Sequence, residues 1–124
     1  MTRLIGLFVA GGTGVLARYA VTGLVQRYSG SQLPIGTFVE NVAGCVIFGF
    51  IWSLANDRML INAELRTILL TGFVGGFTTF STYAFETTGL MRDAQWGLAV
   101  LNVAAHNLIG LMGVILGMAL GRLV

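Results

Sequence analysis

The run Thr78-Thr79-Phe80-Ser81-Thr82-Tyr83 sets four hydroxyl residues, Thr78, Thr79, Ser81 and Thr82, beside the aromatic rings of Phe80 and Tyr83. Hydroxyls donate hydrogen bonds to an anion without carrying a charge, and aromatic ring edges present the positive rim of the ring quadrupole. Phe80 and Tyr83 are three apart and share one helix face, a spacing that also serves ordinary packing. Just upstream stands Gly75-Gly76. Each Gly inside a helix costs about 1 kcal/mol relative to Ala, so the pair predicts a broken helix. In a membrane the carbonyls freed by such a break need a ligand, and a bound cation is a natural one. Asn41 offers amide donors without the desolvation cost of a charge, and it can equally serve as glue between helices. Its neighbour Glu40 has two candidate partners, the headgroups or Arg18, and Arg18 can itself snorkel to an interface or pair between helices. Asn102 and His106, four apart, share a face that either extends a polar lining or bonds a neighbouring helix. A single His and the lone Cys45 make neither a metal-ligand cluster nor an intrachain disulfide, and no nucleophile–base–orienter set for an enzyme is present.

The elements holding these groups must be membrane helices. Among 124 residues, 56% are hydrophobic and 10% charged, with a mean hydropathy of +0.85. Soluble chains carry about 25% charged residues, so a soluble domain is excluded. The basic residues are all Arg and scattered singly, which gives no patch to track nucleic-acid phosphates. Apolar runs divided by polar punctuation predict four spans in one domain over residues 1–124, at about 4–25, 35–54, 63–89 and 95–120. Pro34 sits close to the start of the second span, where its missing N–H costs least, and Asn62 and Glu64 suit a cap and first turn of the third. The period-2 alternation of a membrane barrel is missing. The first apolar run reads as a span rather than a removable leader, since no small-residue cleavage site precedes a polar region.

With four crossings, Arg3, Arg58, Arg66 and Arg122 fall on one side against Arg27 and Arg92 on the other. So small a bias permits insertion in both orientations and antiparallel pairing. Glycine is about twice its usual ~7% share, at 18 of 124 residues. Gly113, Gly117 and Gly121 form one stripe at a repeat of four, and Gly6, Ala10 and Gly14 form another, which predicts close helix contacts.

Three strings carry a resemblance over essentially the whole chain: Gly14-Val15-Leu16-Ala17-Arg18-Tyr19, Gly36-Thr37-Phe38-Val39-Glu40-Asn41-Val42-Ala43-Gly44, and Gly72 through Thr82. Together they resemble the Fluc (CrcB) family of microbial fluoride channels. The resemblance implies an all-α membrane protein with a broken third helix, assembled as an antiparallel, dual-topology homodimer. It implies passive fluoride efflux, and so fluoride resistance, across a bacterial inner membrane, with a structural, untransported sodium ion at the dimer centre. Carried over, Gly75 and Thr78 would supply backbone carbonyls to sodium. Asn41, Phe80, Ser81, Thr82 and Tyr83 would line the fluoride pathway, with Arg18, Glu86, Asn102 and His106 as supporting polar groups. Two positions depart from the family's habit: Tyr83 stands where Phe is common, and Glu40 where an apolar residue is usual.

Such a pathway is physically reasonable, because a small, strongly hydrated anion needs many weak donors in a narrow space. The rival is a proton-coupled exporter of the small multidrug-resistance type. That mechanism needs a carboxylate in the first span, where this chain has Arg18 and no acid. A non-transporting assembly subunit would need only the glycine stripes, and it leaves Gly75-Gly76 and the hydroxyl–aromatic run without a purpose.

Overall fold

The computed structural model describes Met1–Val124 as helices joined by short turns. They are α1 (Thr2–Ser29), α2 (Ile35–Asn56), α3 (Ala63–Thr67), a π-helical stretch (Ile68–Val74), α4 (Gly75–Phe77), α5 (Phe80–Arg92) and α6 (Trp96–Leu123). Four helical segments are long and apolar enough to cross a membrane: Thr2–Ser29, Ile35–Asn56, Ala63–Arg92 and Trp96–Leu123. Each continues a few residues beyond the C-terminal end that hydropathy predicts. Polar side chains such as Gln26 and Arg27 do not stop a helix; a backbone cap does, and Gly30 in the left-handed region (φ 56°) ends α1.

The third span breaks in a different place from the one its glycines suggest. Gly75 and Gly76 are helical, and the interruption falls at Thr78 (φ −85°, ψ 153°) and Thr79 (φ −144°, ψ 109°), which are extended. What the glycine supplies is room. A Cβ on Gly76 would lie 2.5 Å from the Gly11 carbonyl of α1, and one on Gly14 would run into the Phe73 carbonyl. A wider π winding over Ile68–Val74, with each hydrogen bond spanning one residue more than in an α-helix, precedes this contact, a local irregularity that often accompanies functional sites.

The second close seam joins α2 and α6, the most extensive pairing in the molecule. A Cβ on Gly117 would strike the Val46 carbonyl, and one on Gly49 the Val114 carbonyl, so each helix gives its glycine to the other's backbone. Gly113, Gly117 and Gly121 are all buried there, as their spacing predicts. A small core of Ile51, Leu70 and Val74 fills the space between α2 and the π stretch, with Ile47 and Phe73 packed against it.

Polar turns fix both ends. Asn62 accepts from the Leu65 N–H at 2.8 Å as the cap of α3, and Pro34 immediately precedes α2. The Gln26 amide spans the first turn: it donates to the Ser31 carbonyl (3.1 Å) and accepts from the Gly36 N–H (3.1 Å). At the opposite end Arg122 Nε donates to Asp57 Oδ2 at 2.8 Å, and Arg66 donates to Asn56 while its guanidinium lies over the Trp52 ring. Within this frame α1 buries only Gly14, leaving a long apolar face open.

Candidate functional site

Asn41 sits on α2 opposite the break and grips it with both ends of its amide. Its Oδ1 accepts from the Thr79 N–H at 2.9 Å, and its Nδ2 donates to the Thr79 carbonyl at 3.2 Å. The Thr79 amide, which a continuous helix would have given to the Gly75 carbonyl, is thereby redirected. The Thr78 carbonyl accepts no hydrogen bond from the chain, whereas the Thr78 N–H and hydroxyl both turn back to the Val74 carbonyl. Carbonyl oxygen without a donor at mid-span suits a hard cation, which takes oxygen ligands.

Thr79 then caps the next helix. Its hydroxyl accepts from the Thr82 N–H at 3.3 Å and lies 3.0 Å from the Thr82 hydroxyl and 3.3 Å from that of Ser81. The break is therefore braced by α2 on one side and by its own hydroxyls on the other. Sequence reasoning placed Thr79 in the hydroxyl run without seeing that it is the residue both braces share; its cap position before Phe80 was the available signal.

The residues expected to line one pathway divide between two clefts on either side of this brace. Asn41, Thr78, Phe80, Tyr83 and His106 face a cleft of about 470 Å³ that also reaches Cys45 and Asn107. The rings are in contact there: Phe80 and Tyr83 centroids are 5.5 Å apart, Tyr83 and His106 4.4 Å, and Phe38 meets His106 edge-on at 5.3 Å. Ser81 and Thr82 face a second cleft of about 380 Å³ with Arg18, Thr22, Glu40 and Thr79. Phe80 is 78% exposed, and Ser81, Thr82 and Gly75 are also exposed on this chain.

The two membrane carboxyls take hydroxyl partners rather than arginines. Glu40 has 0% of its surface exposed, and its Oε2 accepts from Thr22 Oγ1 at 3.1 Å. Glu40 thus faces α1 rather than the headgroups, and it shares a cleft with Arg18 without forming an ion pair. Glu86 Oε1 accepts from Thr37 Oγ1 at 2.8 Å beside a third cleft of about 310 Å³, which continues the polar seam toward Gln26 and Asp93. Each carboxyl keeps one buried oxygen with no partner.

On α6, Asn102 is an interhelical link, donating to Thr87 Oγ1 of α5 at 2.9 Å. Its own carbonyl lies 3.0 Å from His106 Nδ1, so that nitrogen carries the proton and donates. The pair shares a face as its spacing predicts, but only His106 reaches the 470 Å³ cleft.

Comparison with known proteins identifies the family. The family model for CrcB-like protein, Camphor Resistance (CrcB), matches residues 5–118. A fluoride-specific ion channel FluC of Nitrosococcus oceani is 47% identical over 122 residues, 98% of each chain. One of Nitratidesulfovibrio vulgaris (strain Miyazaki F) is 47% identical over 124 residues, the whole of both chains, and one of Maridesulfovibrio salexigens is 41% identical over 100% of this chain and 98% of its own. This chain, a multi-pass membrane protein, belongs to the CrcB-like family, whose relatives are named as ion channels and not as enzymes.

Proposed function

We propose that this chain is a fluoride-selective channel giving passive, downhill efflux of fluoride. The observation that carries the reading is the Asn41–Thr79 clamp, which holds the break open beside a cleft lined by Phe80, Tyr83 and His106. One Asn41 N–H goes to the Thr79 carbonyl, and the amide's second N–H is left for an anion in the cleft. Ring edges of Phe80 and Tyr83 and the Tyr83 hydroxyl add weak donors on one side; Ser81 and Thr82 add hydroxyls on the other. Many weak donors replace fluoride's water and still let it leave, whereas a fixed cation in contact would trap it.

A second copy of the chain completes the route in this reading. Phe80, Ser81 and Thr82 stand exposed at mid-span, and lipid tails cannot satisfy hydroxyls or the Gly75 and Thr78 carbonyls. An antiparallel partner, permitted by the near balance of arginines, would cover that face together with the open side of α1. A structural sodium ion held by the Gly75 and Thr78 carbonyls fits the donor-free Thr78 oxygen; when bound it supplies a positive charge that neutralises carbonyl dipoles at the break. The membrane would be the bacterial inner membrane, where efflux confers fluoride resistance. The exporter reading finds no support, since α1 holds no acid and the relatives are named as ion channels.

Purified protein in fluoride-loaded liposomes tests the reading. Release to a fluoride electrode is expected from the unchanged chain, and a loss of at least about tenfold from Asn41→Asp or Phe80→Ile, equivalent to ~1.4 kcal/mol. Unchanged release in both variants would contradict the assigned route.

A further inference from the structure

Glu40 is the one fully buried carboxyl in the chain, it belongs to neither the clamp nor the aromatic cleft, and an ionisable side chain at this depth marks function by default. It lines the 380 Å³ cleft with a single group of opposite charge, Arg18, and the rest of the lining is Thr22, Thr37, Thr79, Ser81 and Thr82 together with Val15 and Tyr19. Glu40 and Arg18 do not form an ion pair. Thr22 donates to one carboxyl oxygen, and the other is buried without a partner. Two unit charges of opposite sign lining one cleft offset each other's field without contact, because the Coulomb energy falls only as the inverse of distance.

We propose that Glu40 sets the charge of this cleft and thereby its affinity for fluoride. With Glu40 ionised the cleft is electrically neutral, and the attraction of Arg18 for an incoming anion is cancelled. With Glu40 protonated the cleft carries a net positive charge and draws fluoride in, so a proton and a fluoride ion favour one another's binding, reciprocally. The proton is taken on the carboxyl and released again; no bond in the anion changes. The titratable and charged groups facing Glu40 are Arg18 and Tyr19 from α1 and, across the polar seam shared through Thr22 and Thr37, Glu86 from α5. An ionised Glu86 acts in the same direction as an ionised Glu40. The inference rests on the fluoride-channel reading and goes further, by naming the residue that tunes the affinity.

The test is fluoride current through planar bilayers holding the full-length protein, measured against fluoride concentration from pH 8 to pH 5.5; neutral HF carries no current. At pH 8 the half-saturating fluoride concentration of Glu40→Gln should be about threefold or more below that of the unchanged chain. On acidification the unchanged chain should approach the variant, whose own value changes less, by the part that Glu86 contributes. Glutamine keeps an oxygen for Thr22, so the fold is preserved; Glu40→Val removes the charge without that acceptor and should lower the value equally. Identical values for the unchanged chain and both variants at every pH overturn the inference. So does a pH dependence that survives in Glu40→Gln and vanishes in His106→Gln, which would move the titrating group to the other cleft. No fluoride current in any of the proteins at any pH would instead defeat the channel reading.

Discussion

Thr79 makes four hydrogen bonds through three atoms, two with Asn41 and two with Thr82, counting the Thr82 N–H and hydroxyl separately, and a further contact to Ser81. Removing its hydroxyl takes away the α5 cap and leaves the Asn41 pairing in place. Thr79→Val is therefore expected to destabilise by about 0.5–2 kcal/mol, the usual value of a cap, while Thr79→Ser retains most of it. Thermal unfolding in detergent checks this, and equal midpoints for both variants would show that the hydroxyl is not the brace. The same residue explains what could be read from sequence. Phe80 with Tyr83, and Asn102 with His106, were legible because their partners are three or four residues away on one helix. The Asn41–Thr79 clamp joins residues 38 apart and the Thr37–Glu86 bond residues 49 apart. No local pattern announces such pairs; they exist only once α2 and α5 have been brought together by the packing of other residues.

At the scale of elements, the glycine stripes were legible and the helix break was misplaced, for one physical reason. Glycine both weakens a helix and lets another backbone approach, and sequence alone does not say which property is in use. Gly76 and Gly117 use the second: each lies under a carbonyl of a neighbouring helix, where helical geometry is kept. The break is made instead by Thr79, a β-branched residue whose side chain offers the backbone a competing partner. Span ends follow similar logic, with Asn62 readable as a cap and the polar tail of α1 readable only from its Gly30 terminator. Outside the membrane, Asp57 ties the end of α2 to the end of α6. The hydrogen bond from Arg122, followed by that from Ser53, holds its carboxyl below the usual carboxylate range. The lowered folded value means that this tie contributes fully above about pH 4 and fades as pH falls through the folded value. Asp57→Asn should thus unfold slightly earlier than the unchanged chain at pH 7, with the difference closing at strongly acid pH; a difference that persists there would assign the effect to packing.

At the scale of the whole molecule, low charge and high apolar content decide the solvent, and four spans follow from length. What the four spans cannot do is enclose a pathway. Only 22 of 124 residues are buried within the chain, α1 fully buries only Gly14, and the hydroxyls Ser81 and Thr82 of α5 are exposed. In the proposed channel a second copy of the chain would complete the pathway, with the clefts on one chain as its halves. The central claim is that this assembly passes fluoride and discriminates against other halides. Its most direct measurement is ion release from liposomes containing the purified, unchanged protein, with a fluoride-selective electrode in one series and a chloride-selective electrode in the other under equal gradients. Rapid fluoride release with chloride retained is the predicted result; no release above protein-free liposomes, or chloride release at the fluoride rate, would contradict it.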